Sequence, residues 1–175
     1  MRISGRVLEG RNVTSVEIRR PDGALHLTVQ ALPLGFENRL AGRGVRRPVV
    51  PRRVARDSRG RVVRDESGQA VLIPDEGDAD YQRQLEEFAR RTVSLEVVEG
   101  LAADPSVRFE AKAPDEGGDW AAYADSIYDE LAKAGFSDGD LLALVRAIHA
   151  ASNLVADQLV AEQDVFFPDR PAPTR

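Results

Sequence analysis

Along residues 25–30 apolar and polar positions alternate: Leu25, Leu27 and Val29 against His26, Thr28 and Gln30. A period of two predicts a strand with one buried face. The run "VTSVEIRR" before it is separated by Pro21-Asp22-Gly23. Proline followed by Asp-Gly favours a turn, so the two runs predict an antiparallel hairpin. The preceding "ISGRVLEG" is a candidate third strand.

After "IPDEGDAD" the period changes to three and four. Tyr81, Leu85, Phe88, Thr92, Leu95 and Val97/Val98 form one helical stripe, with Asp78 or Asp80 as its cap and Gly100 placed as its stop. A second helix begins near Trp120, with Tyr123, Ala124, Ile127, Tyr128 and Leu131 on one face and Gly135 at its end. Ser137, followed three residues later by Asp140, resembles a capping box for a third helix. That helix carries Leu141, Leu144/Val145, Ile148, Ala151/Ser152, Val155 and Leu159. The proline-rich end, "FFPDRPAPTR", predicts a flexible tail.

Between hairpin and helices lies a stretch that repeats itself: "RDSRGRVV" (56–63) aligns with "RDESGQAV" (64–71) at an eight-residue offset. Each copy has a polar turn around a glycine and then a short apolar patch. Val49, Val50, Val54, Val62, Val63, Val71, Leu72 and Ile73 predict short strands or a long hairpin. Pro48, Pro51 and Pro74 confine pairing to edges and strand ends. The fold class expected is α+β: a small N-terminal antiparallel β part (1–40), an extended basic β arm (41–76), a helical subdomain of about three helices (77–165) and a tail (166–175).

Charge changes the picture of the arm. Arg39 to Arg64 holds ten arginines against Asp57, whereas residues 65–175 hold nine Lys/Arg against 24 acids. Such asymmetry marks an interaction element, or two parts built to meet each other. The expectation is that the arm lies on an acidic surface of its own chain, a neighbouring subunit or another protein. A polyanion is the weaker alternative. Residues 37–80 have no aromatic side chain before Tyr81 on which a base could stack, and no helical period. Non-specific binding to a nucleic-acid backbone stays open.

Candidate chemistry is sparse. With no cysteine, thiolate sites and disulfides are absent, which suits an intracellular protein. No apolar run approaches a membrane span, and the first residues have no secretory apolar region. His26 and His149 each lack a second histidine at helical metal spacing. "DEGDAD" lacks the glutamate that closes a calcium loop, and "GRG" lacks the lysine of a phosphate loop. The chain is expected to be non-enzymatic, without cofactor or metal. Partner-binding candidates are Arg46, Arg47, Arg52, Arg53, Trp120, Tyr123, Phe166 and Phe167.

The stretches "DADYQRQLEEFARRTVSLEVVEGL", "VRFEA" and "DWAAYADSIYDELAKAGFSDGDLLALVRAIHAASNLV", with "PLGFENRL" upstream, carry a resemblance. In this order they resemble the tail assembly chaperones of long-tailed phages and related prophage elements, over roughly residues 78–160 and more loosely 13–40. The long basic repeat and the "DVFFPDRPAPTR" ending depart from that pattern. The resemblance implies a multi-copy protein of the bacterial host cytoplasm. It would coat the helical tape-measure protein, keep it soluble and deliver it to the growing tail. Two other classes compete: a structural protein of the tail or head–tail connection, and a nucleic-acid-binding accessory protein.

Overall fold

The computed structural model describes residues 2–3, 6–7, 11–21, 23–115 and 117–153. The expected α+β class holds. The hairpin consists of β3 (Val13–Arg20) and β4 (Gly23–Gln30), in a register that sets Val16 opposite Leu27 and Ile18 opposite Leu25. Directly opposed residues share a face. Ile18, Leu27 and Val29 are accordingly buried, and His26 on the alternate face is exposed. The candidate third strand does not join this sheet. Two-residue strands β1 (Arg2–Ile3) and β2 (Arg6–Val7) pair only with each other.

A short helix, α1 (Phe36–Gly42), lies where no helical period was expected. Phe36 and Leu40, one turn apart, are its buried pair. It ends in a Schellman turn: Val45 N–H donates to Leu40 O (2.9 Å) and Gly44 N–H to Ala41 O (3.2 Å). Gly44 has φ +84°, the left-handed conformation that this ending needs. The turn tucks Val45 into the core and launches the basic segment outward.

Three long helices follow: α2 (Ala79–Leu101), α3 (Trp120–Lys133) and α4 (Asp138–Ala151). Asp78 caps α2 through Tyr81 N–H at 2.9 Å, and the Ser137–Asp140 capping box of α4 is complete. Helix α2 is central, packing on α3, α4 and β4, while α4 covers both hairpin strands. One core runs from Ile18 through Val29, Leu40 and Val97 to Ile127, Leu144 and Ile148. Hairpin and helices are thus one packed body, and the expected boundary at residue 40 falls inside α1.

Helix α2 ends at Leu101, one residue past the stop expected at Gly100, and Gly100 is also a helix crossing. It lies inside α2, facing Ile148 of α4, and a Cβ there would meet the Ile148 side chain. Polar staples tie the layers together. Gln30 Nε2 donates to Glu99 O (2.9 Å), Asn12 Nδ2 to Ala151 O (3.0 Å) and Leu32 N–H to Ser152 Oγ (2.8 Å). Arg91 grips Asp125 bidentately, joining α2 to α3 and holding that carboxyl below its usual range.

Of the two expectations for the repeat, short strands hold and the long hairpin does not: it folds into a compact clover. Its stem pairs β5 (Arg52–Val54) with β6 (Leu72–Pro74), and its two leaves are closed by bridges Arg56–Val62 and Arg64–Ala70. At the hub, three residues eight apart complete a ring of backbone hydrogen bonds. Val63 N–H donates to Ala55 O, Val71 N–H to Val63 O, and Ala55 N–H to Val71 O, all at 2.8–2.9 Å. The ring explains why the repeat makes lobes and not extended strands: each hub N–H is satisfied by the carbonyl of another hub residue eight or sixteen positions away.

Candidate functional site

The basic segment has two parts, and the repeat dictates the geometry of the outer one. In the first leaf Asp57 Oδ1 accepts from Arg59 and Arg61 N–H (2.8 and 2.9 Å). In the second Asp65 Oδ1 accepts from Ser67 and Gln69 N–H (both 2.9 Å). Gly60 and Gly68, with φ +78° and +79°, occupy the same turn position. The leading arginine of each copy donates to that glycine's carbonyl: Arg56 to Gly60 O (2.8 Å) and Arg64 to Gly68 O (2.6 Å). The "R-D-x-x-G" spacing is therefore a turn code. The Ser67 hydroxyl, the largest influence, and the backbone N–H groups hold the Asp65 carboxyl below its ordinary value. Replacing Asp57 and Asp65 together by alanine is expected to open the leaves. Amide exchange at Val63 and Val71 should then accelerate selectively, with the amides of α2 unchanged.

The inner part is a cleft of about 730 Å³ between the end of α1 and the start of α3, lined by Arg39, Gly42, Arg43, Gly44, Gly117, Gly118 and Trp120. Arg39 and Arg43 sit one turn apart. The Arg43 guanidinium lies 3.6 Å from the Trp120 ring centroid, a cation–π stack. Tyr123 meets Trp120 edge-to-face with centroids 5.7 Å apart. Trp120 is half-buried, with part of its indole on the cleft, whereas Tyr123 is a buried core residue. Burial, first of all, raises the Tyr123 phenol above its usual value.

The sequence candidates are thus partly brought together. Arg43, absent from the candidates, bridges the basic segment to Trp120 across 77 positions of sequence. Its signal was legible in part, since Phe36/Leu40 and Arg39/Arg43 both follow i, i+4 spacing. Arg46 donates Nε–H to Ala41 O (2.8 Å), fixing the root of the arm. Arg47 and Arg52 are exposed, and Arg53 reaches Asp75 at 3.5 Å. Among the described residues, Arg53–Asp75 is the one ion pair that the segment from Arg39 to Arg64 makes with the acids of its own chain. Phe166, Phe167, Val155 and Leu159 lie outside the described residues.

His149 Nε2 contacts Glu96 Oε2 at 3.2 Å, and burial, opposed by that imidazole, pushes the Glu96 carboxyl up. Arg20 bonds to Gly135 O, pairs with Asp140 at 3.2 Å and lies over Phe136, clamping the α3–α4 junction. No group of three or more His, Asp or Glu arranged to hold a metal ion occurs among the described residues, and no helix among them is long and apolar enough to cross a membrane. The cleft thus combines two guanidinium groups, an indole wall and four glycines. Comparison with protein-family models, with curated proteins and with solved structures finds no match.

Proposed function

We propose that the protein is a non-catalytic tail assembly chaperone that holds a helical tape-measure protein soluble. The observation that carries this reading is the Arg43–Trp120 stack at the mouth of a cleft with a second arginine. Arginine and tryptophan are the side chains most enriched at the energetic centres of protein interfaces. A client helix with acidic and apolar side chains on one face matches the cleft: its carboxylates meet Arg39 and Arg43, and an apolar group meets the indole.

Co-expression with the tape-measure protein from the same genome tests it. The wild type is expected to keep that protein in the soluble fraction and to co-elute with it. Trp120→Ala and Arg43→Gln should each weaken the complex by about 1–2 kcal/mol, with the circular dichroism of the free protein unchanged. A tape-measure protein that is equally soluble alone, or a complex indifferent to both substitutions, rejects the proposal.

One observation favours a second reading. Trp120 places an aromatic ring beside Arg39 and Arg43, so the basic segment is not without a stacking platform. Nucleic-acid binding would show as retention on DNA that falls steeply with salt. It would be lost on Arg→Gln changes at 46, 47, 52 and 53. The chaperone reading expects no such retention at physiological salt.

A further inference from the structure

A second cleft, of about 670 Å³, lies beside the end of α4 and shares no lining residue with the first. One wall is the segment joining β4 to α1: Leu32, Pro33, Leu34 and Phe36, with the exposed Glu37 on the rim. Leu34 is 100% exposed, at the tip of a turn closed by Phe36 N–H donating to Pro33 O at 3.1 Å. The other wall holds Glu96 of α2 with His149 and Ser152 of α4. Glu37 is near enough for its charge to add to the burial that raises the Glu96 carboxyl. A single exposed leucine needs no explanation, but here it borders an apolar cleft with an acidic rim. That combination describes an occupant: a bulky apolar group with a cation beside it.

The chain carries this chemistry beyond the point where it leaves the cleft. Ser152, the C-cap of α4, lines the cleft, and its Oγ accepts the Leu32 N–H at 2.8 Å. The exit of α4 is thereby tied to the wall. Asn153 follows in the left-handed conformation, with φ 58°, which turns the chain out of the helix. Residues 154–175, outside the described part, include Phe166 and Phe167 and then Arg170. Phe166 is 13 positions beyond Asn153. An extended reach of about 45 Å over that length sets no limit on folding back. We propose that the cleft is the docking site of this chain's own C-terminal segment, with Phe166 and Phe167 packing on Leu34 and Pro33 and Arg170 pairing with Glu37. Tethering favours this occupant over a separate peptide of the same composition, because a linked segment has an effective concentration of about a millimolar. The contact lies away from Arg39, Arg43 and Trp120, so it stands or falls separately from client binding.

Limited chymotrypsin digestion of the full-length protein tests it, with cleavage between Phe166 and Phe167 followed by mass spectrometry. Docking shields that bond, so it should be cut at least about tenfold more slowly than in a synthetic peptide of residues 160–175. Leu34→Asp and Glu37→Lys alter exposed side chains outside the core, and each should speed the cut several-fold, with circular dichroism unchanged. Combining Glu37→Lys with Arg170→Glu restores an opposite-charge pair and should return the rate towards that of the wild type. The comparison with the peptide does not depend on any variant folding. A wild-type bond cut as fast as the peptide overturns the proposal, and so does a rate indifferent to both single changes. A charge swap that stays as fast as Glu37→Lys alone overturns the assigned pairing. Protection that grows with protein concentration would place another copy's segment in the cleft and overturn the proposal too.

Discussion

Replacing Gly100 by valine is expected to destabilise the protein by about 3 kcal/mol and to lower its melting temperature by roughly 5–10 °C. Gly100 lies near the end of α2 where α4 crosses it. A Cβ there would come within 2.5 Å of Ile148 Cγ1 and closer still to Cδ1. Ile148 is fully buried, and in a close-packed core its side chain moves only by displacing its neighbours. Valine is a better helix former than glycine by roughly 0.5 kcal/mol, which offsets only part of the overlap. The double mutant with Ile148→Ala decides the mechanism. That truncation alone costs about 2–5 kcal/mol. If the overlap is the cause, the two changes together should destabilise by at least about 1 kcal/mol less than their sum. Strict additivity, or a neutral Gly100→Val, would show that the helices are free to separate there.

The second large effect is expected at Asp104, a buried carboxylate just beyond α2. Its Oδ2 accepts the Thr28 N–H of β4 at 2.6 Å, and its Oδ1 accepts the Ser106 N–H and hydroxyl at 2.9 and 2.6 Å. The residue thus ties hairpin to helix through charge-assisted bonds. Asp104→Ala orphans those donors and should cost about 3 kcal/mol; Asp104→Asn, which keeps the shape but replaces an acceptor by an amide donor, should cost about 2 kcal/mol. The Ser106 hydroxyl foremost, then the Thr28 and Ser106 N–H groups, hold this carboxyl below its ordinary value. A folded value below the unfolded one of about 3.9 means the contribution is complete above that value and is lost as pH falls through the folded one. Urea unfolding between pH 6 and about 2.5 should therefore show a shallower acid loss in Asp104→Asn than in wild type. Asp125 and Asp140, also held low, maintain the remaining slope. An unchanged slope would remove Asp104 from the acid response.

Much of the local structure was legible because its causes are local. The Leu25/Leu27/Val29 alternation, the Asp78 cap and the Ser137–Asp140 box each rest on residues within a few positions of one another. Helix α1 escaped notice because seven residues are too few to show a period or to hold a helix alone; Phe36 and Leu40 form it by docking on the core. The eight-residue repeat was visible, but not its closure. Two copies with valines suit a hairpin equally well, and the choice lies in backbone bonds among Ala55, Val63 and Val71.

By itself, the sequence determined the fold class, the long helices, a cap for α2 at Asp78 or Asp80 and the capping box of α4, the glycine turns of the repeat and the imbalance between a basic segment and an acidic remainder. Periodicity, capping and charge are properties of neighbours along the chain, and one sequence displays them directly. The tertiary structure alone decided that Gly100 is a helix crossing, that Tyr123 is core while Trp120 faces a cleft, and that Arg43 joins Trp120. It also decided that the arm leaves most of its charge unpaired among the described residues. Each of these depends on which distant residues the packed core brings within a few ångströms, and that proximity leaves no mark on the order of residues in a single chain.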